Sequence, residues 1–222
     1  GPPQSAMTGA ALHPFDHLSP QAVLDALDAV GLRGDGRLLQ LNSYENRVFQ
    51  VMLEDDSVVV AKFYRPERWS DAQILEEHAF AAELAQAEVP VVPALVLADG
   101  ATLAHAVIDG QPFRYAAFPR RAGRAPALES LDTLRWLGRF IGRLHSVGAR
   151  RPFATRRSLD ANTFGHQARD RVLALDMILP AQAGPWQAAC DQAVSAVERA
   201  FATVQPAVLR LHGDCHPGNV LW

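Results

Sequence analysis

The 222-residue sequence is poor in cysteine: only Cys190 and Cys215 are present. Two thiols in a chain of this length cannot build a disulfide scaffold, and they point to a reduced, cytoplasmic protein. No apolar run reaches the roughly 18 residues that a membrane-spanning helix needs. Basic charge is not in excess either. The formal net charge is -3, which provides no broad positive field for nucleic acid, although a local basic pocket for phosphate groups stays compatible with it. The opening GPPQSAMTG lacks the charged n-region and apolar h-region of a signal peptide, so residues 1–9 are expected to be disordered or a cloning remnant. There is no internal repeat, no low-complexity tract and no G-x-G-x-x-G.

What is present suits a soluble globular protein: 49% hydrophobic and 20% charged residues, enough to bury one large core or two smaller ones. Ser19 and Pro20 open a short helix as N-cap and first-turn proline, running to Gly31. The period then changes to two. Strands are expected at Leu38–Leu41, Arg47–Leu53 and Val58–Tyr64, the last two joined by the polar turn Glu54–Ser57. Ser70 and Asp71 start a helix reaching about Glu88. Further strand-like pieces follow at Ala94–Leu97, Thr102–Val107 and Phe113–Phe118, with turns at Asp99–Gly100 and Asp109–Gly110.

The expected fold is therefore α+β and two-lobed. Residues 10–118 form an N-lobe with a five-stranded, mostly antiparallel sheet and one inserted helix. Residues 119–126, rich in Arg, Gly and Pro, form a hinge. Residues 127–222 form a mostly helical, partial C-lobe. Its helices are expected at Leu131–Gly148, about Gln167–Leu179 and Trp186–Val204, with a short strand at Ala207–Leu211 feeding the last loop. A cleft between such lobes is the usual place for a ligand.

The most specific chemical signal is the end of the chain, VLRLHGDCHPGNVLW. His212, Asp214 and Asn219 have the spacing H-x-D-x-x-x-x-N of a phosphoryl-transfer catalytic loop. Such chemistry needs a carboxylate to orient or accept the proton of the attacking hydroxyl. It also needs an amide oxygen that reaches a metal ion bridging the phosphates. Gly213, Pro217 and Gly218 disfavour helix and permit a tight backbone path. Two other readings stand beside it: a turn whose Asp and Asn bond their own backbone, and zinc held by His212, Cys215 and His216. The proline and glycines argue against the helix on which an i, i+4 histidine pair usually binds zinc.

Lys62, inside VVVAKFY, ends a β-branched run on the third strand, near the V-A-I-K context of a phosphate-binding lysine. A strand lysine is more often a solvated edge charge. On the following helix, Glu77 falls on the same face as Ile74, Ala81 and Leu84. A carboxylate facing the sheet calls for a partner, and Lys62 is the natural one. Between strands one and two, LNSYENRVFQV offers Asn42, Ser43 and Asn46, whose backbone N–H groups and hydroxyl could meet phosphate oxygens. A polar hairpin turn is the default there.

HGDCHPGN resembles the H-G-D-x-H-x-x-N signature of the aminoglycoside phosphotransferase and choline kinase superfamily, kinase-fold enzymes without a glycine-rich loop. LNSYENRVFQ, VAKFYRPERWS, QILEEH and LRLHGDCHPGNVLW resemble the bacterial stress-response kinases of that group, from about residue 15 to Trp222. The resemblance implies a cytoplasmic, monomeric Ser/Thr protein kinase using ATP and Mg2+. It implies Asp214 as proton acceptor, Asn219 as magnesium ligand, Ser43 as an ATP contact, and Lys62 with Glu77 as phosphate-binding lysine and partner. In that family a further acidic strand after the loop carries a second magnesium aspartate. The chain stops before it, so it is expected to be truncated and to turn over little or not at all. Two alternatives remain open: a kinase of small alcohols such as aminoglycosides, choline or homoserine, and a non-catalytic nucleotide-binding fragment. The expected partners are ATP and a hydroxyl-bearing protein, with no nucleic acid and no membrane.

Overall fold

The computed structural model describes residues 13–222. The expectation of a disordered or cloning-derived segment at 1–9 falls outside the described residues.

The first helix, α1, spans Pro20–Ala29, and the Ser19 side chain caps it by accepting from the Ala22 N–H at 3.1 Å. Five strands follow, interrupted by one helix: β1 (Gly34–Leu41), β2 (Arg47–Leu53), β3 (Val58–Phe63), α2 (Asp71–Gln86), β4 (Ala104–Ile108) and β5 (Gln111–Pro119). They form one sheet in the order β1-β2-β3-β5-β4, every neighbour antiparallel. The expected five-stranded sheet with a helix after the third strand is thus observed. Two details differ. Ala94–Leu97 and Ala207–Leu211 are not strands. In the first, Leu95 N–H does donate to Ala117 O at 2.8 Å, but the contact is not continued into a ladder.

Strand alternation gives the sheet two faces. Val59, Ala61 and Phe63 of β3 join Phe49, Val51 and Leu53 of β2, Phe113, Tyr115 and Ala117 of β5, and Val23, Ala26 and Leu27 of α1 in the main core. Phe63 stacks on Tyr115 with centroids 5.1 Å apart and takes Phe49 edge-on at 6.1 Å. Each such fully buried ring contributes roughly 1.5–3 kcal/mol relative to exposure. The Tyr115 hydroxyl, within this core, donates to Ala26 O at 2.6 Å.

The opposite face carries Lys62, and here α2 packs. Ile74 meets Tyr64, Leu103 and Ala116. The helix starts with a reciprocal box: Gln73 N–H donates to Ser70 Oγ at 3.1 Å, and Ser70 N–H donates to Gln73 Oε1 at 3.0 Å. Arg114 of β5 donates to Trp69 O and to Asp71, and Asp71 also meets His105 of β4 at 2.8 Å. Burial pushes the Asp71 carboxyl up, but hydrogen bonds from His105 and Arg114 outweigh it and hold the group below its ordinary value. The start of α2 is therefore pinned to both strands at the β4–β5 edge.

The described residues group into two compact units. One contains everything up to Val147 together with Leu211–Trp222; the other is Gly148–Arg210. The first includes nearly all of α3 (Leu131–Gly148), whose Leu144 and Val147 are buried while Leu131, Leu134 and Trp136 are exposed. In the second, a π-turn at Asn162–His166 leads into α4 (Gln167–Ala174), followed by α5 (Pro180–Val204). Arg169 bridges Asp170 and Asp191, and His166 pairs with Glu198. The helix α5 begins six residues before the expected Trp186 and continues through Gly184 and Pro185. Pro180 supplies a ready-made first turn, so the later proline costs one hydrogen bond without ending the helix.

Candidate active site

The loop from His212 to Asn219 is built by local hydrogen bonds. Gly213 has φ +87, a left-handed conformation that glycine adopts at no steric cost. Asp214 N–H then donates to His212 Nδ1 at 3.2 Å. Gly218 N–H donates to His216 Nδ1 at 3.1 Å, and Pro217–Asn219 makes one 3-10 turn. That turn swings Asn219 back onto Asp214: its Nδ2 donates to Asp214 O at 2.8 Å and to Asp214 Oδ2 at 3.1 Å. His216 Nε2 lies 3.6 Å from the same carboxylate oxygen.

Two consequences follow for chemistry. The Asp214 carboxylate is held on one side yet its side chain is 78% exposed, so an acceptor hydroxyl can reach it. With Nδ2 of Asn219 engaged, the atom this amide offers to a cation is Oδ1, a hard oxygen donor of the kind magnesium prefers. The donor set fits a divalent cation held partly by phosphate oxygens. The turn-only reading describes the bonding of this loop, but does not account for a carboxylate and an amide oxygen left open beside each other. Among the described residues no three of His, Cys, Asp or Glu converge as a metal cluster, so the zinc reading gains no support. Downstream, Trp222 N–H donates to Arg124 O at 2.8 Å, and Arg124 N–H reaches Trp222 O at 3.5 Å.

Lys62 lies mid-sheet, registered between Val48 on β2 and Ala116 on β5. It is half-buried and is no edge residue. It is also the only lysine of the sequence, whose other basic side chains, histidine aside, are arginine. Its Nζ sits 4.9 Å from the Phe118 ring centroid and 5.7 Å from that of Tyr64.

Glu77 requires a correction. It was expected on the buried face of α2, but it is exposed. The buried line runs through Ile74, His78 and Leu84. Apolar spacing alone does not separate i+3 from i+4, and here the i+4 position, His78, turns inward. Even so, Glu77 and Lys62 both act on His78. Burial pushes the imidazole below its ordinary value, Glu77 partly restores it, and Lys62 lowers it again. His78, four residues after Ile74, is thus the polar side chain that the inner face of α2 buries.

Ser43 is exposed in the β1–β2 loop and lines a cavity of about 170 Å3 with Asn42, Asn46, Arg47 and Arg65. The loop is fastened to the chain after β3: Arg65 N–H donates to Asn46 Oδ1 at 3.1 Å, and Arg68 pairs with Glu45. Asp214, Asn219, Ser43, Lys62 and Glu77 all lie in the first compact unit.

The sequence model of the phosphotransferase enzyme family matches residues 37–222. The chain belongs to that family. This family member is 43% identical over 208 residues to stress response kinase A of Salmonella choleraesuis (strain SC-B67), covering 94% of this chain and 62% of the relative. It is 42% identical to the serine/threonine protein kinase RdoA of Salmonella typhimurium and 41% identical to stress response kinase A of Escherichia coli (strain K12), over the same shares. The chain thus spans about 62% of the length of these curated relatives. Its fold is similar to amicoumacin kinase hAmiN, solved with AMP-PNP, Ca2+ and Ami, at a TM-score of 0.64 and 18% identity over 91% of this chain and 60% of that one. A microcompartment-associated aminopropanol kinase matches at a TM-score of 0.53 and 20% identity, over 64% and 45% of the two chains. No helix among the described residues is long and apolar enough to cross a membrane.

Proposed function

We propose that the protein transfers the γ-phosphoryl group of ATP to a hydroxyl, with serine or threonine of a protein as acceptor. The observation that carries this reading is the Asp214–Asn219 pair: one carboxylate accessible to an acceptor and one amide oxygen left for a cation, held together by two hydrogen bonds. The named relatives, stress response kinase A and the serine/threonine kinase RdoA, support the protein acceptor and a role in the bacterial stress response.

In this reading Lys62 contacts the α- and β-phosphates, and Glu77 sets its charge environment. Ser43 and its neighbours in the β1–β2 loop give hydroxyl and backbone N–H groups to phosphate oxygens, in place of a glycine-rich loop. Asn219 would help hold Mg2+, and the ion would neutralise charge developing on the phosphates. Asp214 orients the acceptor hydroxyl and takes its proton late. Positioning and charge neutralisation do most of the work in such transfers, so the carboxylate need do little more than orient the hydroxyl. Residues 10–118, 119–126 and 127–222 act as nucleotide lobe, hinge and acceptor lobe.

The test uses the protein at the length of its relatives, with radiolabelled ATP and magnesium. Asp214→Ala is expected to lower transfer to protein hydroxyls by at least about a hundredfold, while ATP affinity changes little. Undiminished transfer by that variant excludes the assignment. Label moving to small alcohols and not to protein favours the small-molecule reading.

A further inference from the structure

His78 takes no part in the transfer proposed above, yet it is only 5% exposed. Both its nitrogens are used. Nε2 lies 2.8 Å from the Tyr64 hydroxyl, and Nδ1 lies 2.8 Å from Thr102 Oγ1. Its ring also meets Phe118 edge-on at 6.1 Å and Tyr64 at 6.2 Å. Tyr64 and Phe118 are the two rings over which the Lys62 ammonium lies, at 5.7 and 4.9 Å.

We propose that His78 is a positioning residue that locks the Tyr64 and Phe118 rings into a platform fixing the Lys62 ammonium for ATP phosphates. The proposal rests on the reading of Lys62 as the phosphate-binding lysine. A lysine stem has four rotatable bonds and a compact charge. Held on two aromatic faces it loses most of that freedom before the nucleotide arrives, which is preorganisation. The rings themselves need anchoring. Tyr64 is anchored through its hydroxyl, and Phe118, which has no polar atom, by packing against the imidazole edge and the cluster of Tyr64, Ile74, Leu103 and Ala116. A neutral imidazole suits the place, since one nitrogen donates and the other accepts, and both hydroxyls can reciprocate. The ionisable groups facing it are Lys62 and Tyr64 from the β3 end and Glu77 on its own helix, with the neutral Thr102 on the other side.

The single lysine makes the test direct. Selective 13Cε-lysine labelling of this chain gives one cross-peak, and the two rings are expected to displace it upfield of free lysine. His78→Phe, which keeps a ring but removes both hydrogen bonds, is expected to move that peak toward the free position and weaken ATP binding about three- to tenfold. On a Lys62→Met background the same substitution is expected to change ATP affinity by less than about twofold. His78→Gln, which keeps a donor and an acceptor, is expected to restore part of both effects. Tyr64→Phe keeps every ring and deletes one bond; should His78→Phe fail to fold, it decides by a smaller shift in the same direction. An unmoved peak with unchanged affinity, or an equal loss with and without Lys62, overturns the proposal. If Lys62→Met itself leaves ATP affinity intact, the reading of the lysine fails, while the peak still reports whether His78 positions it.

Discussion

Gly148 shows how tightly single positions are constrained. A Cβ built there would lie 2.2 Å from Arg210 O, and Arg210 is itself buried with its N–H on Gly148 O at 3.2 Å. Gly148→Ala forces these backbones apart. It is expected to cost about 1–3 kcal/mol, read as a lower urea midpoint for the Gly148–Arg210 unit. Nothing in the sequence gives the reason, because Arg210 is 62 positions away; only the helix-ending role of the glycine is visible. Asp214 and Asn219 are the opposite case. Their partnership is closed within five residues, so the spacing alone carries it. Glu77 and His78 fall between these extremes: helical phase narrows the inward position to two neighbours, and the side-chain environment chooses the histidine.

At the level of elements, α2 carries the clearest signals and the clearest consequences. Its capping box is readable as Ser70 followed three residues later by Gln73, and Ser70→Ala is expected to cost about 1 kcal/mol in thermal or chemical unfolding. The histidine on its inner face adds a pH dependence. Folded His78 takes up a proton less readily than the unfolded chain, whose value stays near 6.5. Above that pH both states are neutral and nothing is lost. As pH falls below it, the unfolded state binds a proton that the folded state resists, so stability declines. Melting temperatures measured between about pH 7.5 and 5.5 are expected to fall more steeply for the wild-type chain than for His78→Gln. Parallel slopes would refute this. Strands were legible where a hairpin partner follows closely, as with Asp109 and Gly110, both at positive φ between β4 and β5. Ala94–Leu97 and Ala207–Leu211 have equally β-prone composition but find no continuous ladder, and a strand exists only with its neighbour.

For the molecule as a whole, the order of elements was legible: a polar loop between the first strands, a central strand lysine, a helix after the third strand, then helices and a short closing loop. The clustering into two compact units was not, since it depends on Gly148 meeting Arg210 across a long excursion. Nucleotide binding is the property to test at this scale. ATP with magnesium is expected to raise the melting temperature of this chain, in proportion to the logarithm of ligand concentration once it exceeds the dissociation constant. Lys62→Met is expected to abolish most of the rise. The backbone pairing of Arg124 with Trp222, with Leu221 Cβ 2.7 Å from where a Gly123 side chain would begin, bears on motion. It removes an independent degree of freedom: the residues that follow Asn219 cannot translate without carrying 123–124 along. Any displacement of 123–124 is therefore passed to the residues that follow Asn219. Widening Gly123 by one methyl group should loosen that link to Leu221 and leave the Asp214–Asn219 bonds in place.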